Sequence, residues 1–220
     1  MRGSPAVLTL RKASHGMNRF NFYWARIFQQ ETALVKLSTD FQELADELRG
    51  KSVSLVGNAR SLSQTNSGID IDSSDIVIRI NSAPIPSNRS HGSRTDWHAL
   101  AVKNSGALRN RTEPKRYIWL SHKRKRLDWA TATSEGFYLF PLGDFHLLSN
   151  QLGARPTSGL LLISLLERSP AARINLFGFD FFDSLSLTGS RTAEQVPHDF
   201  NAEKKWVDNL LKRDERFNLL

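Results

Sequence analysis

The chain has 220 residues, of which 40% are hydrophobic and 24% are charged, and its mean hydropathy is −0.39. This length suits one α/β domain with a full core and is too short for two complete domains. No apolar run approaches the roughly 20 residues of a membrane span, and the lack of cysteine excludes disulfides and thiolate metal sites.

The chain is basic, with a net charge of +8 and a pI near 10.0. An ordinary soluble basic protein is one interpretation. An anionic partner is the other: a nucleotide donor, an acidic glycan, an anionic lipid or nucleic acid. The densest basic run is Lys123-Arg124-Lys125-Arg126. Such a run is usually a solvated face, with a nuclear-type signal or a phospholipid-facing patch as alternatives.

The N-terminus lacks the apolar core of a signal peptide, because the VLTL run at 7–10 is too short. We therefore expect a cytoplasmic protein, which a cysteine-free chain permits. The N-glycosylation patterns at Asn88 and Asn110 are accordingly interpreted as chance matches.

Residues 1–37 are expected to form an N-terminal extension, with basic and aromatic residues alternating at 19–28. A short helix there would pack on the domain or touch a membrane surface, and packing is favoured. A helix is predicted next at 40–49, because Asp40 and Glu43 have the spacing of a capping box.

Strands and helices alternate along the rest of the chain. The predicted strands are 52–56, 76–80, 97–102, 117–120, 137–140 and 173–178. A helix at 158–167 is apolar on all sides, which argues for burial against a sheet, and a last helix spans about 199–213. This alternation predicts one Rossmann-like α/β domain with a mostly parallel sheet flanked by helices.

Two predicted strands each end at an asparagine. The first stops at Gly57-Asn58, and the second stops at Asn81. In an open α/β sheet, ligands bind beyond the carboxyl ends of the strands. The two asparagines therefore predict a nucleotide pocket at that edge.

A turn rich in hydroxyl groups, Arg155-Pro156-Thr157-Ser158-Gly159, precedes the buried helix. Free amides and the positive end of the helix dipole make such a turn an anion site. Simple N-capping by Thr157 or Ser158 is the alternative.

Three segments together resemble the motifs of the eukaryotic-type sialyltransferases, across about residues 50–210. Residues 53–81 resemble the large sialyl motif; the matching residues are Val56, Gly57, Asn58, Leu62, Ile71, Asp72, Asp75, Val77, Arg79 and Asn81. Residues 155–179 resemble the small sialyl motif; the matching residues are Pro156, Thr157, Ser158, Gly159, Phe177, Gly178 and Phe179. His198 and Glu203 reproduce the His-x4-Glu spacing of the final short motif.

The resemblance implies a GT-A-like variant of the α/β fold, with residues 38–220 as a CMP-sugar glycosyltransferase domain. It implies inverting transfer, without a metal, of sialic acid or a related 2-keto sugar acid such as Kdo from its CMP donor to a glycan hydroxyl. The pocket residues that can be placed contact CMP rather than the sugar, so the choice between the two donors stays open.

The resemblance also assigns roles to residues. His198 is the general base, as a histidine near its ordinary pKa of about 6.5 suits. The expected CMP contacts are Asn58, Ala59, Asn81, Thr157, Ser158, Gly159, Gly178 and Phe179. Arg155 or Arg191 would contact the phosphate or the acceptor, and Arg79 would support the site. Glu203 lies about 140° around a helix from His198, so we expect it to orient a helix start or a backbone amide.

The chain departs from the family pattern in two ways. Val53 and Ala171 stand where animal members have a disulfide, and the third motif is not visible. A pseudo-enzyme that keeps only the CMP pocket therefore stays open. Another alternative is a metal-dependent nucleotide-diphosphate-sugar transferase that uses the Asp-x-Asp at Asp70 and Asp72.

A non-catalytic, basic nucleotide- or nucleic-acid-binding protein is the remaining alternative, although the sequence has no RNP-like, helix-turn-helix or zinc signature. The expected partners are instead a CMP-sugar donor and a glycan or lipid-linked saccharide acceptor, with no nucleic acid. The basic surface would add peripheral contact with the anionic inner face of a membrane.

Overall fold

The computed structural model describes residues 16–82, 84–105, 108, 112–180 and 198–220. Seven strands form one sheet in the order β5-β4-β3-β2-β1-β6-β7, and all the pairings between these strands are parallel. The strands are β1 Ser52–Val56, β2 Ile76–Ile80, β3 Trp97–Leu100, β4 Arg116–Trp119, β5 Tyr138–Leu139, β6 Arg173–Phe177 and β7 Phe217–Leu219. The predicted α/β fold is confirmed, and β7 is a strand that the prediction missed.

Helices connect the strands. They are α1 Arg19–Ile27, α2 Glu31–Leu34, α3 Phe41–Leu48, α4 Gly68–Ser73, α5 Asn88–His91, α6 Trp129–Ala132, α7 Leu142–Leu152, α8 Ser158–Glu167 and α9 Phe200–Arg213. Short 3-10 helices occur at Val35–Leu37, Arg60–Gln64 and Arg124–Arg126. In the described ranges no helix has both the length and the apolarity that crossing a bilayer requires.

The direction in which the chain adds strands reverses beside β1. From β1 the chain builds outward through β2, β3, β4 and β5, and it then returns to place β6 on the other side of β1. Val56 lies in register with Phe177 across the β1–β6 pair. Such a reversal opens a crevice at the carboxyl ends of the strands, and this is where open α/β sheets bind ligands.

The main core packs α3, α8 and α9 against the sheet, and α8 buries seven of its ten residues. Val53 and Ala171, the two positions at which the sequence resemblance implied the loss of a disulfide, are both buried in this core. Asp40 caps α3 by accepting the Glu43 N–H at 2.8 Å. The Glu43 carboxylate instead pairs with the buried Arg116, so the reciprocal bond of the predicted capping box is replaced by an ion pair.

The described part of the N-terminal extension packs on the domain. Phe22 of α1 and Leu34 of α2 are fully buried in a second core with Trp119, Leu127 and Phe137. The helix expected in this extension is therefore confirmed, and its packing role is confirmed for the side that faces the sheet.

Arg124 shows that the basic run at 123–126 is not simply a solvated face. Its side chain is fully buried, and its guanidinium donates to a carboxylate oxygen of Glu31 at 2.9 Å. It also donates to the carbonyl oxygens of Ser121 at 2.9 Å and Phe140 at 2.7 Å. This arginine therefore joins α2 to the loops that follow β4 and β5.

We predict that Arg124→Met lowers the free energy of unfolding by about 3 kcal/mol, because the partly buried Glu31 carboxylate and two carbonyls lose their donor. Urea denaturation measures the change. The adjacent exposed residue gives the matched control, and Lys125→Met should change stability by less than about 0.5 kcal/mol. Equal effects of the two substitutions would contradict a structural role for Arg124.

Candidate active site

The carboxyl ends of β1 and β6 approach so closely that two positions require glycine. A Cβ on Gly57 would lie 2.3 Å from the Gly178 carbonyl oxygen. Gly178 has a φ of +69°, in the left-handed region that favours glycine. The Ala59 N–H also donates to the Gly178 carbonyl at 3.2 Å. Bare backbone therefore forms this part of the crevice.

The two predicted asparagines lie side by side at this edge. Asn58 donates through its side-chain amide to the Ile80 carbonyl at 3.4 Å, immediately before Asn81. Asn81 has a φ of +54°, and its Oδ1 accepts the Ala101 N–H at 2.8 Å. None of the described residues accepts a hydrogen bond from the Asn81 Nδ2, so this amide group can donate to a ligand.

His98, a residue that the sequence analysis missed, holds Asn81 in position. This fully buried side chain donates from Nε2 to the Asn81 carbonyl at 2.6 Å. The bond fixes the left-handed turn that aims the asparagine side chain. A histidine one strand away from the motif gives no sequence signal for this role.

The start of α8 is a capped helix N-terminus of the kind that can receive an anion. Thr157 caps the helix by accepting the Leu160 N–H at 3.2 Å. Its own hydroxyl and N–H donate to Glu203 at 2.7 and 2.6 Å, so both groups are used inside the protein. The first-turn amides of Ser158 and Gly159 have no acceptor within the helix, and they remain to bind an anion.

Phe179 links the start of α8 to the end of β6. A Cβ on Gly159 would lie 2.7 Å from the Phe179 ring, so the absence of a side chain there lets the ring pack against the helix. Contacts therefore run without a break from α8 through Phe179 and Gly178 to Gly57, Asn58 and Asn81. The structure brings the predicted donor-binding residues together at one edge.

His198 is held by the same turn. Its Nδ1 lies 2.7 Å from the Arg155 carbonyl oxygen, which can only accept, so Nδ1 carries the proton. Burial lowers the pKa of His198 and the Arg155 charge adds to this, although the bond to the carbonyl acts in the opposite direction. The imidazole is therefore neutral at neutral pH, with a free electron pair on Nε2.

Glu203 makes the backbone contact that the helix geometry predicted. It lies on α9, is only 3% exposed, and accepts both bonds from Thr157. Burial raises its pKa to about 7, although the bonds from Thr157 act to lower it. Together with the bond from His198 to Arg155, this contact fastens the start of α9 to the start of α8.

His122 is a second residue that the sequence analysis missed. It follows the carboxyl end of β4, just as Asn58 and Asn81 follow the carboxyl ends of β1 and β2. A search for polar residues after every predicted strand would therefore have found it. Among the described residues, the His122 Nδ1 and the Arg155 Nε are buried without a hydrogen-bond partner. Burial and the charges of Arg155 and Lys123 lower the pKa of His122 to about 4.

The positive charge of Arg155 is also uncompensated by the described residues around it. Burial, followed by the charge of Arg126, lowers the pKa of Arg155. A partly buried guanidinium near a second arginine is stabilised by an anion placed between them. The region beside His198 is therefore suited to a phosphate or carboxylate. The other candidate arginine, Arg191, lies outside the described residues.

Asp72, the second aspartate of the Asp-x-Asp pair, binds backbone N–H groups in the structure. Asp72 accepts the N–H groups of Ser93 at 2.7 Å and Arg94 at 3.1 Å. Burial acts to raise its pKa, but these bonds outweigh it and leave the pKa lowered. Arg79 binds the same loop by donating to the Arg94 carbonyl at 2.8 Å. Asp72 and Arg79 thus brace the loop before β3.

No group of three or more His, Asp or Glu side chains arranged for a metal occurs within the described ranges.

Residues 8–138 match the family model described as Glycosyltransferase family 29 (sialyltransferase). No curated protein sequence matches the chain. A mammalian sialyltransferase crystal structure is 18% identical, with a TM-score of 0.66 over 95% of this chain and 87% of that one. The Campylobacter jejuni sialyltransferase CstII, in complex with cytidine-5′-monophosphate, is 15% identical, with a TM-score of 0.55 over 78% of this chain and 80% of that one. These likenesses show a shared fold.

The raised pKa of Glu203 predicts a pH dependence of stability. The folded chain keeps this proton up to about pH 7, whereas the unfolded chain loses it near 4.5, so stability falls as pH rises through this window. Glu203→Gln removes the buried charge and keeps the size of the side chain. At about pH 8 the variant should be more stable than the natural chain by about 1–3 kcal/mol, and the difference should vanish near pH 4.

Urea denaturation at both pH values measures this difference. Glu135→Gln, at an exposed glutamate, is the matched control and should change stability by less than about 0.5 kcal/mol at either pH. A Glu203→Gln variant that is less stable than the natural chain at the higher pH would show that the ionised carboxylate stabilises the fold.

Proposed function

The chain belongs to glycosyltransferase family 29, the sialyltransferases, and on that premise we propose that it transfers sialic acid or Kdo from the CMP donor to a glycan hydroxyl. The observation that carries this proposal is the bond from His198 to the Arg155 carbonyl, two residues before the anion-binding start of α8. A neutral base held by this bond would lie beside the leaving phosphate, if the start of α8 holds that phosphate as proposed.

His198 would act as the general base. With its proton fixed on Nδ1, the Nε2 electron pair accepts the proton of the acceptor hydroxyl as that oxygen attacks the anomeric carbon. The bond from this carbon to the CMP phosphate oxygen breaks as the new bond forms on the opposite face, so the configuration inverts. The ring oxygen of the sugar stabilises the cationic character of the transition state.

The leaving CMP would be held by amides and cations rather than by a metal. The Ser158 and Gly159 amides, at the positive end of α8, would bind the phosphate. Arg155 and His122 would add hydrogen-bond donors on the far side. This donor set supplies charge stabilisation that diphosphate-dependent transferases obtain from a divalent cation.

The nucleoside would lie along the ends of β1, β2 and β6. The side-chain amides of Asn58 and Asn81 would bind it, with Ala59 beside them. Gly178 and Phe179 would border it. The Campylobacter jejuni sialyltransferase of the same fold is described in complex with cytidine-5′-monophosphate, which supports a CMP donor here. A complex of that enzyme with a trisaccharide acceptor and CMP supports a glycan acceptor.

The acceptor would be a glycan or a lipid-linked saccharide. The net charge of +8 would favour anionic acceptors and peripheral contact with an anionic membrane surface. Sialic acid and Kdo share the 2-keto acid chemistry, and the proposed contacts with CMP are the same for both donors.

We predict that His198→Ala lowers the turnover number about 10²–10⁴-fold and leaves CMP affinity nearly unchanged, because it removes the base and none of the proposed CMP contacts. CMP release in the presence of acceptor measures turnover, and thermal shift measures binding. His146→Ala, at an exposed histidine on α7, is the matched control and should be active. Near-normal turnover of His198→Ala would disprove the base assignment. Loss of CMP binding would show that this histidine holds the nucleotide.

A further inference from the structure

One face of α1 carries a row of exposed aromatic side chains that packing leaves unused. Phe20, Trp24 and Phe28 lie four residues apart, which places them on one side of the helix. Their side chains are 67%, 48% and 60% exposed. The Trp24 ring stacks on Phe28 with centroids 5.1 Å apart, and its centroid lies 6.0 Å from that of Phe20. We call these three residues the aromatic row.

The aromatic row is not part of the fold's own core. The opposite side of α1 is anchored by Phe22 and Ala25, which are buried. Ile27, beside the row, is 58% exposed. An open cavity of about 930 Å³ borders the row and is lined by Met17, Phe20, Trp24, Ala33 and Lys36, among others. An apolar surface of this kind marks a site of interaction.

The stretch of sequence that carries the aromatic row is basic. Residues 1–30 contain no Asp or Glu, and they carry Arg2, Arg11, Lys12, Arg19 and Arg26. Glu31 is the first acidic residue, and it is paired with the buried Arg124. The basic run at 123–126 packs on the same helix, since Arg26 donates to the Leu127 carbonyl at 2.8 Å. Lys125 and Arg126 of that run are exposed.

We propose that α1 docks on an anionic lipid bilayer, with the aromatic row in the interfacial layer. Aromatic side chains are enriched at that layer, and an amphipathic helix with basic neighbours binds there in the plane of the membrane. Anionic headgroups attract the surrounding lysines and arginines. A neutral glycan would use the aromatic rings but not the charge, and a second copy of this chain would bring like charges together.

Docking in this way orients the candidate active site. Helix α1 packs on the segment that leaves the carboxyl end of β4, which is the segment that also carries His122. The aromatic row therefore lies on a helix that bonds to the segment following the carboxyl edge of the sheet, where the predicted donor pocket lies. Helix α1 would hold that edge close to lipid-linked molecules, and it would do so whether or not the chain is catalytic.

The test is co-sedimentation of the full chain with vesicles. Phosphatidylcholine vesicles are compared with vesicles of phosphatidylcholine and phosphatidylglycerol, and the chain should bind the anionic ones. The triple variant Phe20→Ser/Trp24→Ser/Phe28→Ser should bind at least about a hundredfold more weakly, since each aromatic loses buried apolar area. Arg19→Gln/Lys125→Gln should bind about tenfold more weakly, and high salt should have the same effect.

A matched control removes exposed apolar side chains elsewhere. Ile69→Ser/Leu147→Ser, at positions 84% and 61% exposed, should bind vesicles as the natural chain does. Equal binding by the triple variant, or no binding by the natural chain, would overturn the proposal. A natural chain that sediments as a dimer, and a monomeric triple variant, would also overturn it and identify a second copy as the occupant.

Transfer to a soluble acceptor should be unchanged in the triple variant, which separates this proposal from the proposed catalytic function.

Discussion

Two hydrogen bonds from Thr157 to Glu203 join the elements on which the candidate site depends. Thr157 caps the helix whose first amides form the proposed anion site, and Glu203 lies on the helix that follows His198. The bond from His198 to the Arg155 carbonyl is a further link between the same two segments. Residues 155–157 and 198–203 are therefore one unit, in which the position of the base follows the position of the anion site.

This unit has a cost in stability. A carboxylate that is 3% exposed, with a pKa near 7, disfavours the folded state once it ionises. Perturbed carboxyl groups of this kind occur most often where function fixes the geometry. Within the part of the chain that the structure describes, Arg155 Nε and His122 Nδ1 are buried in the same region without a hydrogen-bond partner. An anion bound between α8 and the end of β4 would compensate the charge of Arg155 and could accept a hydrogen bond from His122.

The strand ends supply the other half of the site. The approach of Gly57 to Gly178 brings β1 and β6 together at the point where the direction of strand addition reverses. His98 fixes Asn81 from the next strand. The predicted nucleotide pocket and the predicted anion site are thus adjacent because Phe179 packs against Gly159.

Local pattern explains which features could be predicted from the sequence. Buried β-branched runs ending at Asn58 and Asn81 identify β1 and β2, and a helix that is apolar on all sides identifies α8. The geometry of a helix also predicts that Glu203 contacts an amide rather than His198. Its hydrogen-bond partner, Thr157, is 46 residues away in the sequence. No local sequence pattern predicts a contact between residues so far apart.

Tertiary context explains what the sequence analysis missed. Strand β7 has only three residues, and its pairing with β6 alone defines it. Arg124 lies in a run of basic residues that resembles a solvated face, and it is buried because Glu31 and the Phe140 carbonyl receive it. In the sequence of α1, the exposed aromatic residues alternate with buried apolar ones. The sequence therefore does not show which side of the helix packs, because that depends on its contacts with the sheet.

The most direct test of the account is a donor screen in the presence of EDTA. The chain is incubated with CMP-sialic acid, CMP-Kdo and UDP-sugars over mixed glycan acceptors, and nucleotide release is measured. We expect release of CMP from at least one CMP donor, dependent on acceptor and unaffected by EDTA. Release from UDP-sugars alone, restored only by a divalent cation, would contradict it and would favour a metal site at Asp70 and Asp72.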